Sequence, residues 1–166
     1  MSSISRVVVL LHGIRTRGVW QKQLTPTLSA AGFLPHPLDY GNFGAGALVA
    51  PWARRRQVEW LHNELDKIAE STRSERVSVI AHSFGTYMVG EVLRKYPQHR
   101  FDKLILTGSI LPTDYPWAEK LDDWQVSFVH NEHGSLDPWP NRARMLPSAG
   151  ASGVHRIQSA TQQASG

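Results

Sequence analysis

A serine stands between two small residues in Ala81-His82-Ser83-Phe84-Gly85, directly after the β-branched run that ends at Val79-Ile80. A small-x-Ser-x-Gly turn between a strand and a helix lifts the hydroxyl to the tip of a tight bend, where it suits nucleophilic attack. The neighbours must be small because the strained backbone leaves little room for Cβ atoms. Pentapeptides of this kind are common, so the surroundings decide between a nucleophile and an ordinary turn.

Two further stretches bear on that decision. Attack on a carbonyl builds negative charge on its oxygen, and backbone N–H groups must be waiting for it. His12-Gly13 closes the apolar run Val7–Leu11 and is suited to present one such donor, with a second from Phe84 after the serine. An ordinary glycine turn would read the same alone, but its coincidence with the serine turn favours the chemical reading. An acid is also needed to orient a base. Asp137, in Asn131-Glu132-His133-Gly134-Ser135-Leu136-Asp137-Pro138, follows the last apolar run and is the first candidate. Asp114 is the alternative, and the plain reading of Asp137 is a turn aspartate before proline.

The elements that must position these residues alternate along the chain, which predicts a parallel sheet covered by helices on both faces. Val7–Leu11 reads as a strand buried on both sides. Thr25 as N-cap, Pro26 at the first helical position and Gly32 as the stop predict a short helix. A strand over about Phe33–Tyr40 is demoted to an edge by Pro35 and Pro37. After a glycine-rich loop, Val58, Leu61, Leu65 and Ile68 make the apolar stripe of a helix over about Ala53–Ser71. Val77–Ala81 carries the serine turn, and a helix follows to Pro97. Strands at Leu104–Thr107 and Val126–His130 complete the set. Residues 1–147 form one core domain in this reading, and 148–166 a degenerate or truncated tail rich in Ser, Ala, Gly and Gln.

Leu11-His12-Gly13-Ile14, Ala81-His82-Ser83-Phe84-Gly85 and Gly134-Ser135-Leu136-Asp137, in that order, resemble the α/β-hydrolase superfamily over about Val7–Leu146. His82 before the serine is similar to lipase-like and esterase-like members. The resemblance implies a minimal α/β-hydrolase fold of strand order 2-1-3-4-5, and the 54 residues from Ser83 to Asp137 leave no room for a large cap domain. It implies cleavage of a carboxylic ester or related acyl bond through an acyl-enzyme, with a small-molecule acyl substrate and no cofactor. Ser83 would be the nucleophile and Asp137 the acid. The N–H groups of Ile14 and Phe84 would form the oxyanion hole, and His12, Gly13 and His82 would line the site. The family's base follows its acid, and His155 is the only histidine after Asp137. The alternative is a base beyond Gly166, or an impaired hydrolase-like binding domain without one.

Composition narrows the partners. Lys and Arg number 18 against 14 Asp and Glu, a formal net charge of +4 that fits a mildly basic enzyme without calling for nucleic acid. The run Arg54-Arg55-Arg56 reads as a solvated helix start. With no cysteine, thiol chemistry and cysteine zinc sites are excluded. His130 and His133 have a metal-like spacing but no evident third ligand. The loop Gly41–Gly46 lacks the Gly-Lys-Ser/Thr ending of a phosphate cradle. Trp20, Trp52, Trp117, Trp124 and Trp139 are suited to line an acyl pocket, with core packing or loop anchoring as the plain reading. The N-terminus lacks signal-peptide character and no stretch is long enough to span a bilayer, so a cytoplasmic protein without stable membrane insertion is expected.

Overall fold

The computed structural model describes residues 6–14, 18–41 and 50–132. Five parallel strands form one sheet: β1 (Val7–Leu11), β2 (Leu34–Leu38), β3 (Val77–His82), β4 (Phe101–Thr107) and β5 (Val126–Glu132). Their order is β2-β1-β3-β4-β5, as expected. The helices are α1 (Val19–Ala30), α2 (Pro51–Thr72), α3 (Phe84–Lys95) and α4 (Trp117–Asp122). Helices α2 and α3 pack on each other, and the right-handed rule for parallel crossovers, applied to the strand order, places α1 on the face opposite to them. Among the described residues no cap domain is inserted, and no helix is long and apolar enough to cross a membrane.

The sheet order follows from which residues satisfy a strand buried on both sides. Every residue of β1 is buried, and it pairs with β2 on one side and β3 on the other. At the β2 edge the Leu34 N–H donates inward to the Arg6 carbonyl. Parallel strands alternate the side to which each residue turns its N–H. Pro35 and Pro37 therefore sit at positions facing outward, where no donor is needed. Buried Gln21 of α1 donates its side-chain amide to the carbonyls of both Leu10 and Leu38, tying the helix to two strand ends. On the other face Val58, Leu61, Leu65 and Ile68 are all buried, so the α2 stripe packs as its spacing predicts. Each such side chain contributes about 1.5–3 kcal/mol by leaving water.

Three expectations are corrected. The first helix begins at Val19, so Thr25 and Pro26 lie inside it. The Thr25 hydroxyl donates back to the Gln21 carbonyl rather than capping. Gly32 does end the helix: at φ 81° its N–H reaches Ser29 O and the Phe33 N–H reaches Leu28 O, a Schellman closure. Within the basic run, Arg55 and Arg56 are exposed, but Arg54 is buried with its guanidinium 5.6 Å from the centre of the Tyr87 ring. Among the tryptophans, Trp117 joins the core while Trp52 and Trp124 are exposed and anchor nothing there. The short helix α4 had no counterpart in the sequence reading.

Candidate active site

Strand β3 delivers the chain to Ser83, and α3 begins at the next residue. Ser83 holds φ 52° and ψ −118°, a backbone conformation that L-residues rarely adopt and that costs about 1–3 kcal/mol. Surrounding bonds hold it there. The Ser83 N–H donates to Thr107 O at 3.0 Å, and the Ser83 carbonyl accepts from the Thr86 N–H at 2.9 Å. Fully buried Thr86 adds its hydroxyl to the same carbonyl at 2.6 Å and accepts from the Ile110 N–H at 3.1 Å. One threonine thus ties the serine turn to the loop after β4.

The glycines around this turn are required by contact. A Cβ on Gly13 would stand 2.7 Å from Ser83 Cβ and 3.1 Å from His82 Cδ2. A Cβ on Gly85 would stand 2.9 Å from the Leu11 carbonyl oxygen. The turn after β1 and the turn after β3 therefore press together, as close-packed neighbours at the same sheet edge. Ala81, fully buried and in register with Leu11 and Leu106, completes the small-residue frame. Ile14 follows Gly13 and packs against the core. Phe84 is the first residue of α3, and a first-turn N–H has no acceptor within its own helix.

The two histidines have distinct surroundings. His82 Nδ1 lies 3.1 Å from Thr107 Oγ1, whose hydroxyl is directed at Ala81 O. His12 is buried, with Nδ1 2.7 Å from the Gly13 carbonyl and Nε2 3.3 Å from Asp39 Oδ1. Its ring stacks on Tyr40 at 4.3 Å, and the Tyr40 hydroxyl donates to the His12 carbonyl at 3.0 Å. Asp39 accepts the Gly41 N–H at 2.7 Å, and that bond, followed by His12, holds its carboxyl below the usual range. Burial pushes the Tyr40 hydroxyl well above its ordinary pKa. These contacts lock the turn that carries Gly13. Sequence reasoning missed Asp39, Tyr40, Thr86 and Thr107, none of which has a motif of its own.

Of the residues singled out from the sequence, Ser83, Phe84, His82, His12, Gly13 and Ile14 meet at this edge. Asp114 is exposed in the turn before α4. Asp137, His155, His133, Trp139, residues 42–46 of the glycine-rich loop and the 148–166 tail lie outside the described residues. The register aligns His82 with Thr107 and Thr107 with Glu132, so β5 ends in the same row as the serine turn.

A family model described as the alpha/beta hydrolase fold matches residues 6–140. No curated protein matches this chain. Among solved structures, an extracellular α/β-hydrolase from a Paenibacillus species is similar at 16% identity and a TM-score of 0.44. That match covers 92% of this chain and 70% of the other, whose structure is described as sharing structural and functional homology with tobacco salicylic acid binding protein 2.

Proposed function

The chain belongs to the α/β-hydrolase fold family, and from that premise we propose that it is a serine hydrolase with Ser83 as nucleophile. The observation that carries this reading is the Ser83 backbone, held at positive φ against Gly13, with Gly85 pressed on the Leu11 carbonyl beside it. A residue that only turned the chain would be better served by glycine, which has no Cβ penalty there. Serine persists in the strained place because its hydroxyl has work to do.

The proposed substrate is a small-molecule carboxylic ester or related acyl compound. Ser83 Oγ attacks the acyl carbon as its proton passes to the base, and the N–H groups of Ile14 and Phe84 receive the oxyanion. The alcohol leaves with that proton, and water then hydrolyses the acyl-enzyme by the same steps. Asp137 is the proposed acid. Two strand spacings separate β5 from β3, about 10 Å, while the five residues from Glu132 to Asp137 reach at most about 18 Å. Chain length therefore permits the carboxylate to approach the serine edge. His155 is the proposed base; His82 and His12, engaged with Thr107, Gly13 and Asp39, line the site instead.

A fluorophosphonate probe tests the reading. Covalent labelling of the wild-type chain that disappears in Ser83→Ala is expected. A folded wild-type protein that never labels would sink the enzyme and leave a hydrolase-like binding domain. Loss of ester hydrolysis in His155→Ala is expected as well, and unchanged turnover in that variant removes His155 from the mechanism.

A further inference from the structure

A second group of reactive side chains lies at the opposite end of the sheet, where the strands begin. His62 and Asp66 are one turn apart on α2, and His99 lies in the turn between α3 and β4, just before Phe101. His62 Nδ1 is 2.7 Å from His99 Nε2. Asp66 directs one oxygen to each ring, 3.5 Å from His62 Nδ1 and 3.8 Å from His99 Nε2. One ligand atom from each of the three residues fits within a span of 4.8 Å.

We propose that His62, Asp66 and His99 bind a late first-row divalent cation, with Zn2+ as the best-fitting ion. A hydrogen bond between the two imidazoles accounts for one contact. It does not account for a carboxylate that faces both nitrogens while lying too far for a good hydrogen bond to either. Three ligand atoms around a tetrahedral zinc, each about 2.0–2.2 Å from it, lie roughly 3.3 Å from one another. The imidazole contact at 2.7 Å opens toward that spacing, and rotation of the Asp66 carboxylate, whose two oxygens stand 3.5 Å from His62 and 3.8 Å from His99, brings a single oxygen toward both nitrogens, one atom from each residue already lying within 4.8 Å of the others.

The rings are already oriented for this. His62 stacks on Tyr96 at 3.8 Å between centroids, 14° from parallel, and His99 lies nearly parallel to Phe101 at 6.5 Å. Two residues on adjacent turns of a regular helix supply a fixed baseline, and His99 completes the triangle. The Asp66 side chain is half exposed, which gives the ion an entry path and leaves water for the fourth position. Two imidazoles and a carboxylate suit zinc or its neighbours; magnesium and calcium prefer all-oxygen shells. The site joins α2 to the turn between α3 and β4, so the bound ion acts as a clamp away from the serine edge.

Titration calorimetry of the full chain with Zn2+ alone is expected to show one site lost on EDTA treatment. Saturating Zn2+ should raise Tm by roughly 5 °C or more, since only the folded chain holds the three ligands together. Asp66→Asn, at a half-exposed position, should keep the fold by circular dichroism and weaken binding at least tenfold, and His62→Gln should do the same. His36→Gln, outside the cluster, should bind as wild type. Co2+ should give the visible bands of a tetrahedral site in wild type but not in His62→Gln. Absence of Zn2+ binding in wild type, or affinity unchanged in Asp66→Asn and His62→Gln, overturns the proposal. Fluorophosphonate labelling of Ser83 is read in parallel, so failure of one reading is separable from failure of the other.

Discussion

The two ends of the sheet hold reactive side chains in opposite ways. Where the strands end, Ser83 is held by backbone: a positive φ, hydrogen bonds from Thr86 and to Thr107, and two glycines that leave no space for a methyl group. Where they begin, His62 and His99 are held by side chains: ring stacking on Tyr96 and Phe101, a bond between the two rings, and Asp66 beside them. The first arrangement is intolerant of added volume whatever its chemistry. The second tolerates modest changes of volume and depends on which atoms face inward.

The sharpest way to break this contrast is to add one methyl group at Gly13. Its Cβ would meet Ser83 Cβ at 2.7 Å, and neither turn can retreat without losing its register. Gly13→Ala is expected to slow fluorophosphonate labelling and hydrolysis by about a hundredfold or more, as a displacement near 1 Å at a reacting group can, and to lower stability by about 1–3 kcal/mol. Labelling at the wild-type rate in that variant would mean the turn is looser than the geometry implies. Thr86→Val comes next. It keeps the shape but strands the Ile110 N–H in the core and removes one of two donors to Ser83 O. Urea denaturation should show a loss of about 1–3 kcal/mol.

The same contrast explains what was legible from sequence. A backbone-built site writes itself locally, because a strained turn demands small residues at fixed offsets. Ala81, Gly85 and Gly13 could therefore be read without coordinates. The sheet order is implied by the family resemblance, while the uninterrupted β1 run and the two prolines of β2 mark only a strand buried on both sides and a strand at an edge. The histidine pair was only half visible: His62 and Asp66 share a helix face, but the crossover brings His99 to them from beyond α3. The first helix was misplaced because Thr25-Pro26 has the local form of a start. Burial of Gln21 against two strand ends draws the helix back to Val19, and Pro26 withholds only one N–H, which would have met the Lys22 carbonyl. Arg54 was misread because a basic run gives no sign that one member lies over an aromatic ring.

At the strand-start end, Tyr96→Leu should lower stability by only about 0.5–1.5 kcal/mol. An apolar side chain still covers the His62 ring, and only the stacking is lost. Ser83 labelling should be unchanged, since the Tyr96 ring meets His62 and His99 at the end of the sheet away from the serine turn. Slowed labelling in this variant would show that the two ends are coupled and the comparison too simple.

The gentlest probe is acid, applied to a histidine that belongs to neither end. His36 pairs with Val9 in the middle of β2, and its Nε2 is buried without a hydrogen-bond partner. Burial lowers its pKa below the ordinary value of 6.5. The unfolded chain then binds more protons than the folded one between the lowered value and 6.5, so stability falls as pH drops through that window. Above it the contribution is constant. His36→Phe removes the titrating group and keeps a ring on the strand, so its Tm should decline less than that of wild type between about pH 7 and pH 5. Equal declines would mean that protonated His36 is accommodated at the sheet edge, and that the acid sensitivity of the sheet lies elsewhere.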